Sequence, residues 1–176
     1  MIPDLVSFLD RAIGENYYSA SELREILKKS EKEGMMCSLA VVDEDGKVWG
    51  ARISYPPGKW KKGKGESLSP HLWKTKMEET AYFQSLFVDP ELSGQGWGPK
   101  LSLESIDRLK RVGAKAVVCH SWVESPNQSS IRYLTKMGFE PLVRYPLYWT
   151  KVNYVCTVCG PPPCQCTAEE CILYFE

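Results

Sequence analysis

The chain has 176 residues, 43% of them apolar, and its 22 Lys and Arg are matched by 22 Asp and Glu. That length suits one compact domain with a core of its own, and the neutral balance argues against an indiscriminate nucleic-acid or membrane-surface binder. No apolar run reaches membrane-spanning length. The opening MIPDLVSFLDRAIG carries Asp4 and no basic stretch, so it does not read as a signal peptide, and a cytoplasmic location is expected.

Residues 3–13 predict a helix with Leu5, Phe8, Leu9 and Ile13 on one face. A second helix is expected over 20–33, with Ser19 to Glu22 spaced as a capping box and Gly34 as its stop. Residues 36–43 and 47–55 predict a hairpin turned at Asp45-Gly46 and broken by Pro56-Pro57-Gly58. A long segment then runs to about Met77, with Lys59, Lys61, Lys62, Lys64, Lys74 and Lys76 interleaved with Trp60, His71 and Trp73. It reads either as a solvated basic loop or as an acceptor-binding or lid loop, since loops of this length in compact domains are often functional. The neutral charge counts against nucleic acid as its partner.

The stretch from Ala81 to Gly98, AYFQSLFVDPELSGQGWG, carries the most information. A strand over 81–88 ends at Asp89-Pro90, three glycines follow at alternate positions, and a helix is expected from Pro99 to Val112. A glycine-rich loop opening a helix can hold a phosphate, because first-turn N–H groups lack helical partners and the dipole favours an anion. By itself, G-x-G-x-G also fits a plain tight connection. Further strands are expected at 116–122 and within 139–149, with a helix from 125 or 126 to 137 between them. Helices, a hairpin and a crossover together imply an α/β fold.

Read together, the glycine loop and the downstream NQSSIRYLTKMGFEPL resemble the GNAT superfamily of acyl-CoA-dependent N-acetyltransferases. The matching positions are Val88, Pro90, Ser93-Gly94-Gln95-Gly96-Trp97-Gly98, Asn127, Tyr133 and Gly138-Phe139, within a likeness covering about residues 36–150. The resemblance implies a mixed, mostly antiparallel sheet flanked by helices. The family's usual first strand is missing, because the chain starts directly in a helix. Residues 1–150 would form the acyl-CoA-binding domain, and 151–176 a short Cys-rich C-terminal tail. Two positions depart from the family pattern. Ser93 stands where Arg or Gln is usual, and the place of the usual Tyr is Leu134, with Tyr133 beside it. Adjacent helix positions point about 100° apart.

By resemblance, acetyl-CoA is the cofactor. Ser93, Gly94, Gln95, Gly96, Trp97, Gly98 and Asn127 contact it, Val88 pairs with its pantetheine arm, and the Leu86 N–H faces the thioester carbonyl. Tyr133 is the candidate acid, since a phenol near pKa ~10 can donate to a thiolate whose conjugate acid lies near ~8.5. Asn127 reads as a helix cap, a cofactor contact, or both. The position of the base in histone-modifying relatives is Tyr82, which leaves Glu79, Glu124, His120 or a water chain through Gln84.

Five of the seven cysteines lie in the last 21 residues, and Cys156, Cys159, Cys164 and Cys166 surround Gly160-Pro161-Pro162-Pro163. The spacing predicts one local cluster. It reads as a structural zinc site, as disulfides, which a cytosolic setting disfavours, or as reduced thiols. The expected function is direct ternary-complex transfer of an acetyl group from acetyl-CoA to a small-molecule or protein amine, by a monomer or homodimer without nucleic-acid or membrane partners. The alternative is a non-catalytic acyl-CoA sensor or partner-binding module with a zinc-stabilised tail.

Overall fold

A computed structural model describes residues Met1–Glu176. The elements in chain order are α1 (Ile2–Ala12), α2 (Ala20–Lys29), β1 (Glu31–Lys32), β2 (Met35–Met36), β3 (Leu39–Val42), β4 (Val48–Tyr55), β5 (Thr80–Val88), α3 (Trp97–Arg111), β6 (Ala116–Trp122), α4 (Ser129–Lys136), β7 (Glu140–Tyr145) and β8 (Ala168–Tyr174). Strands β3 to β8 form one sheet in the order β3-β4-β5-β6-β8-β7. Only β5 and β6 run parallel; every other neighbouring pair is antiparallel, so the mixed, mostly antiparallel α/β sheet is observed.

The alternation of side chains along β6 decides the layering. Val117 and Cys119 pack with Ile106 and Leu109 of α3 and Leu134 of α4. Ala116 and Val118 turn the other way, toward Leu5, Phe8 and Leu9 of α1 and Leu23 of α2. Ser19 caps α2 as its spacing predicts, accepting from the Glu22 N–H at 3.1 Å. The helix stops at Lys29 rather than 33. Glu33 and Gly34, both at positive φ, turn the chain into the small hairpin β1–β2.

Two expectations change. The long lysine-rich segment is neither a free solvated loop nor a lid over the cleft described below. Its tryptophans anchor it: Trp60 stacks on Tyr82 at 4.7 Å and donates from Nε1 to Thr80 O at 2.8 Å, while Trp73 donates from Nε1 to Glu170 at 2.8 Å. Lys64 adds a further anchor, donating to Glu22 at 2.7 Å and lying over the Tyr18 ring, while the other lysine heads stay in water. Nor is the segment beyond residue 150 only an appended tail. Its last stretch is β8, which lies between β6 and β7 and pairs with β6 from Ala116↔Tyr174 to Trp122↔Ala168. The alternation of Cys171 and Ile172 onto opposite faces is the strand signal that the cysteine count obscures.

Candidate active site and cysteine cluster

The parallel pairing of β5 with β6 runs from Thr80↔Ala116 only as far as Phe83↔Cys119. Past that point the two strands part. A bulge marks the place: Ile53 of β4 faces Ser85 and Ser54 faces Phe83, so Gln84 is the extra residue. The result is a through-going cleft with a volume of about 1060 Å³.

Backbone geometry aims β5 into this gap. The Asp89 N–H donates to Trp49 O at 2.8 Å, toward β4. N–H groups alternate sides along a strand, so those of Leu86 and Val88 face away from β4 into the cleft. At the cleft's end the chain enters α3 through Gly96, whose φ of 78° lies in the left-handed region. The N–H groups of Gly94, Gly96, Trp97 and Gly98 have no backbone acceptor, and they cluster at the positive end of a fifteen-residue helix. Ser93, Gly94, Gly96, Trp97 and Gly98 all line the cleft. Gln95 does not; its side chain turns back to donate to Glu91 O at 3.2 Å.

Tyr133 lines the cleft from the α3/α4 side of the sheet. Its hydroxyl donates to Ser102 Oγ at 2.7 Å and approaches Gly98 O at 3.1 Å. Arg52 of β4, the strand partner of Leu86, donates to the same Ser102 Oγ at 2.8 Å and lies over the Phe83 ring at 3.9 Å. Burial lowers the Arg52 guanidinium to about 10, and its hydrogen bonds go to the Ser102 hydroxyl rather than to a carboxylate. Leu134, at the family's usual Tyr position, is buried in the core beneath α4. Asn127 lines the cleft in a left-handed conformation, φ 55°. It does not cap α4: that helix begins after Gln128, and Ser125 Oγ accepts from the Ser130 N–H at 3.0 Å.

His120 lies just beyond the parting, on the opposite side of the sheet. It stacks on Tyr148 at 4.4 Å, and Nδ1 shares a 2.8 Å hydrogen bond with the Tyr82 hydroxyl. Nε2 has no aligned hydrogen-bond partner but sits 3.4 Å from the fully buried Glu170 carboxylate. Glu170 also accepts from Trp73 and from the Ser69 N–H at 3.0 Å. Burial pushes the Glu170 carboxyl upward, but His120, Trp73 and the Ser69 N–H outweigh it and hold it below the usual range. Of the other candidate bases, Glu79 is tied to Lys115 at 2.5 Å at the far end of β5, and Glu124 accepts from the Thr167 N–H at 2.8 Å. Arg52 and Glu170 were missed from the sequence. A lone Arg in a strand and a Glu in a Cys-rich tail become recognisable only once the pairing of β4 with β5 and of β6 with β8 is known.

The same side of the cleft is closed by Phe8, Tyr17, Trp122, Trp149 and Tyr154, with Arg11 at its edge. Behind this wall lie Cys156, Cys159, Cys164 and Cys166, all free thiols, whose sulfurs are all within 4.8 Å of one another. Cys156 and Gly160 exchange backbone hydrogen bonds of 2.9 and 2.8 Å, closing a tight turn. The Val158 N–H points at Cys156 Sγ and the Gln165 N–H at Cys159 Sγ, both at 3.4 Å.

Residues 5–139 match the Acetyltransferase (GNAT) family. The mycothiol acetyltransferase of Actinosynnema mirum is 34% identical over 77 residues, which is 44% of this chain and 25% of that protein. An uncharacterized N-acetyltransferase of Methanocaldococcus jannaschii is 33% identical over 70 residues, 39% of this chain and 30% of that protein. The chain thus matches less than a third of the length of either relative. Among solved structures, the NatC complex bound to Gag peptide and CoA superposes with a TM-score of 0.68 at 18% identity, covering 99% of this chain and 91% of that one. The ribosomal-protein-S18-alanine N-acetyltransferase of Escherichia coli gives 0.61 at 16% identity, covering 98% and 86%. Ard1 of Thermoplasma volcanium gives 0.65 at 13%, covering 100% and 94%. These structural likenesses speak to the fold. With the family match spanning most of the chain, the sheet parted beyond Phe83 and the glycine loop at the head of α3 belong to a member of the Acetyltransferase (GNAT) family.

Proposed function

We propose that the chain transfers the acetyl group directly from acetyl-CoA to an amine while both are bound. The observation that carries this reading is the parting of β5 from β6 with cleft walls on both sides of the sheet. The glycine loop, α3 and Tyr133 lie on one side, and His120 with the aromatic wall on the other. Two substrates entering from opposite sides would meet at the gap, without an acyl-enzyme stage.

Each group has a role on this reading. The unpaired N–H groups at Gly94, Gly96, Trp97 and Gly98 bind the pyrophosphate. The Val88 N–H holds the pantetheine arm, and the Leu86 N–H donates to the carbonyl oxygen as its negative charge develops. Asn127 contacts the cofactor at the mouth of the cleft. Tyr133 supplies the proton to the departing thiolate. The Arg52 charge, relayed by Ser102, stabilises the phenolate left behind. His120 holds the proton lost by the amine. Protonation at Nε2 turns an unaligned contact with Glu170 into an ion pair, which offsets the burial of the charge.

The acceptor side is aromatic, and Arg11 is its cation. The only carboxylate lining the cleft is Asp89, next to the glycine loop. A polycation finds no counter-charge there. An amine on an apolar or aromatic body, with an anionic group for Arg11, fits better. Titration calorimetry with acetyl-CoA, followed by CoA-thiol release across arylalkylamines, peptides and polyamines, tests this. No binding at millimolar acetyl-CoA would sink the proposal. Binding without release on any amine would favour a sensor, and a preference for polyamines would remove the acceptor assignment.

A further inference from the structure

We propose that Cys156, Cys159, Cys164 and Cys166 bind one zinc ion, and that this metal holds the acceptor-side wall of the cleft in place. The proposal deepens the reading of the cleft above and rests on it only for which side the acceptor occupies.

The donor set and its geometry support the metal. Zinc binds four thiolates tetrahedrally at about 2.3 Å, which sets sulfur–sulfur separations near ~3.8 Å. Here Cys159–Cys166 is 3.4 Å, Cys159–Cys164 3.9 Å and Cys156–Cys166 4.0 Å. All four thiols are free and lie within 4.8 Å of one another, rather than joined as two bonded pairs. The Val158 and Gln165 N–H groups donate to the Cys156 and Cys159 sulfurs, the outer-shell hydrogen bonds that hold thiolate ligands in place. All four ligands are soft and all come from protein, leaving no open position for catalysis, so the site is structural.

The placement supports the role. Residues 146–167 join β7 to β8 with no helix or strand of their own. A connection of that kind in a compact domain needs something to hold it. The cysteine turn ties it to the α1–α2 loop and back onto its own start. The Val155 and Thr157 N–H groups donate to Glu15 O and Ile13 O, at 3.0 and 3.3 Å, in the loop between α1 and α2. Tyr154 packs edge-on against Tyr17 at 4.8 Å and donates to Cys164 Sγ at 3.2 Å. The Tyr148 N–H donates to Cys166 O at 3.1 Å, two residues before β8 begins. Tyr154, Thr157 and Tyr17 all line the cleft, so the metal stands directly behind its wall. None of these contacts involves the glycine loop or α3.

The test uses the full-length chain purified without chelator. Elemental analysis should find about one zinc per chain, and cobalt substitution should give thiolate-to-cobalt charge-transfer bands. Removing the metal, or the Cys159→Ser change at the exposed ligand, should speed hydrogen exchange in residues 13–17 and 146–157 by about tenfold or more. Exchange at Gly94–Gly98 and acetyl-CoA affinity should stay unchanged. A metal-free protein with four freely titrating thiols and a protected 146–157 segment would overturn the proposal, as would iron in place of zinc. Equal loss of protection at Gly94–Gly98 would overturn the local role. Metal content and exchange do not depend on turnover, so failure of the transfer reading would show separately, as absent acetyl-CoA binding or absent CoA release.

Discussion

The two walls of the cleft are built by different means. On the cofactor side, β5, the glycine loop and the start of α3 are consecutive in the chain and present backbone groups. On the acceptor side, Phe8, Tyr17, His120, Trp149 and Tyr154 come from four separated segments, α1, the α1–α2 loop, β6 and the β7–β8 connection, and present side chains. On the proposed reading, a backbone site should tolerate changes of side chain, including Ser93 where Arg or Gln is usual. A side-chain wall depends on every segment arriving in place. The cofactor side should therefore be robust to substitution, and the acceptor side sensitive to how its segments dock.

The largest expected effect tests that docking. A Cβ at Gly14 would lie 1.8 Å from Val155 O, at a φ of 142° that disfavours any side chain. Gly14→Ala should therefore push the cysteine turn off the α1–α2 loop and lower stability by about 3 kcal/mol. Chemical denaturation measures this; a loss under about 1 kcal/mol would mean that the two segments are not tightly docked.

Next comes chemistry at the junction of the two walls. Tyr133→Phe should lower turnover by about 10²-fold, with acetyl-CoA affinity nearly unchanged because the ring remains. Single-turnover kinetics with an active amine from the panel would read it. Wild-type turnover in the folded variant removes Tyr133 from the mechanism. His120→Gln should also slow turnover by about 10²-fold. Wild-type turnover in the folded variant leaves His120 as packing alone.

Glu170→Gln should cost about 2 kcal/mol at neutral pH, since a fully buried, multiply hydrogen-bonded carboxylate is replaced by a group that must donate where it accepted. Its carboxyl is held below the usual range in the folded protein. The stability it contributes is thus fully present above the ordinary carboxylate pKa and is lost as pH falls through the lowered folded value. Acid titration of the variant should show a flatter decline across that window; identical curves would count against the assignment.

The smallest effect is the mirror of the first. Gly96 also has a positive φ, 78°, but a Cβ there meets nothing within 4 Å. Gly96→Ala should cost only about 1 kcal/mol of backbone strain. A loss as large as that at Gly14 would erase the contrast between the two walls.

The division between the walls also marks what could be read in the chain. Strand, Pro, glycine loop and helix follow one another from Ala81 to Val112, so local periodicity and turn chemistry mark out the proposed cofactor side without tertiary information. The cysteine spacing likewise placed four thiols in one turn, because each pair is separated by only a few residues. What local pattern could not reach is decided by long-range pairing. The insertion of β8 between β6 and β7 brings Glu170 to His120, fifty residues away in sequence, and turns a Cys-rich tail into sheet. The register of β4 on β5 brings Arg52 beside Ser102 and Tyr133. Trp60 and Trp73 dock a segment that by charge alone looks solvated. Sequence determined the elements and the backbone site because those interactions span a few residues. Only the tertiary structure decided the acceptor wall, the His120–Glu170 pair and the place of the cysteine cluster, because each depends on burial that no segment achieves by itself.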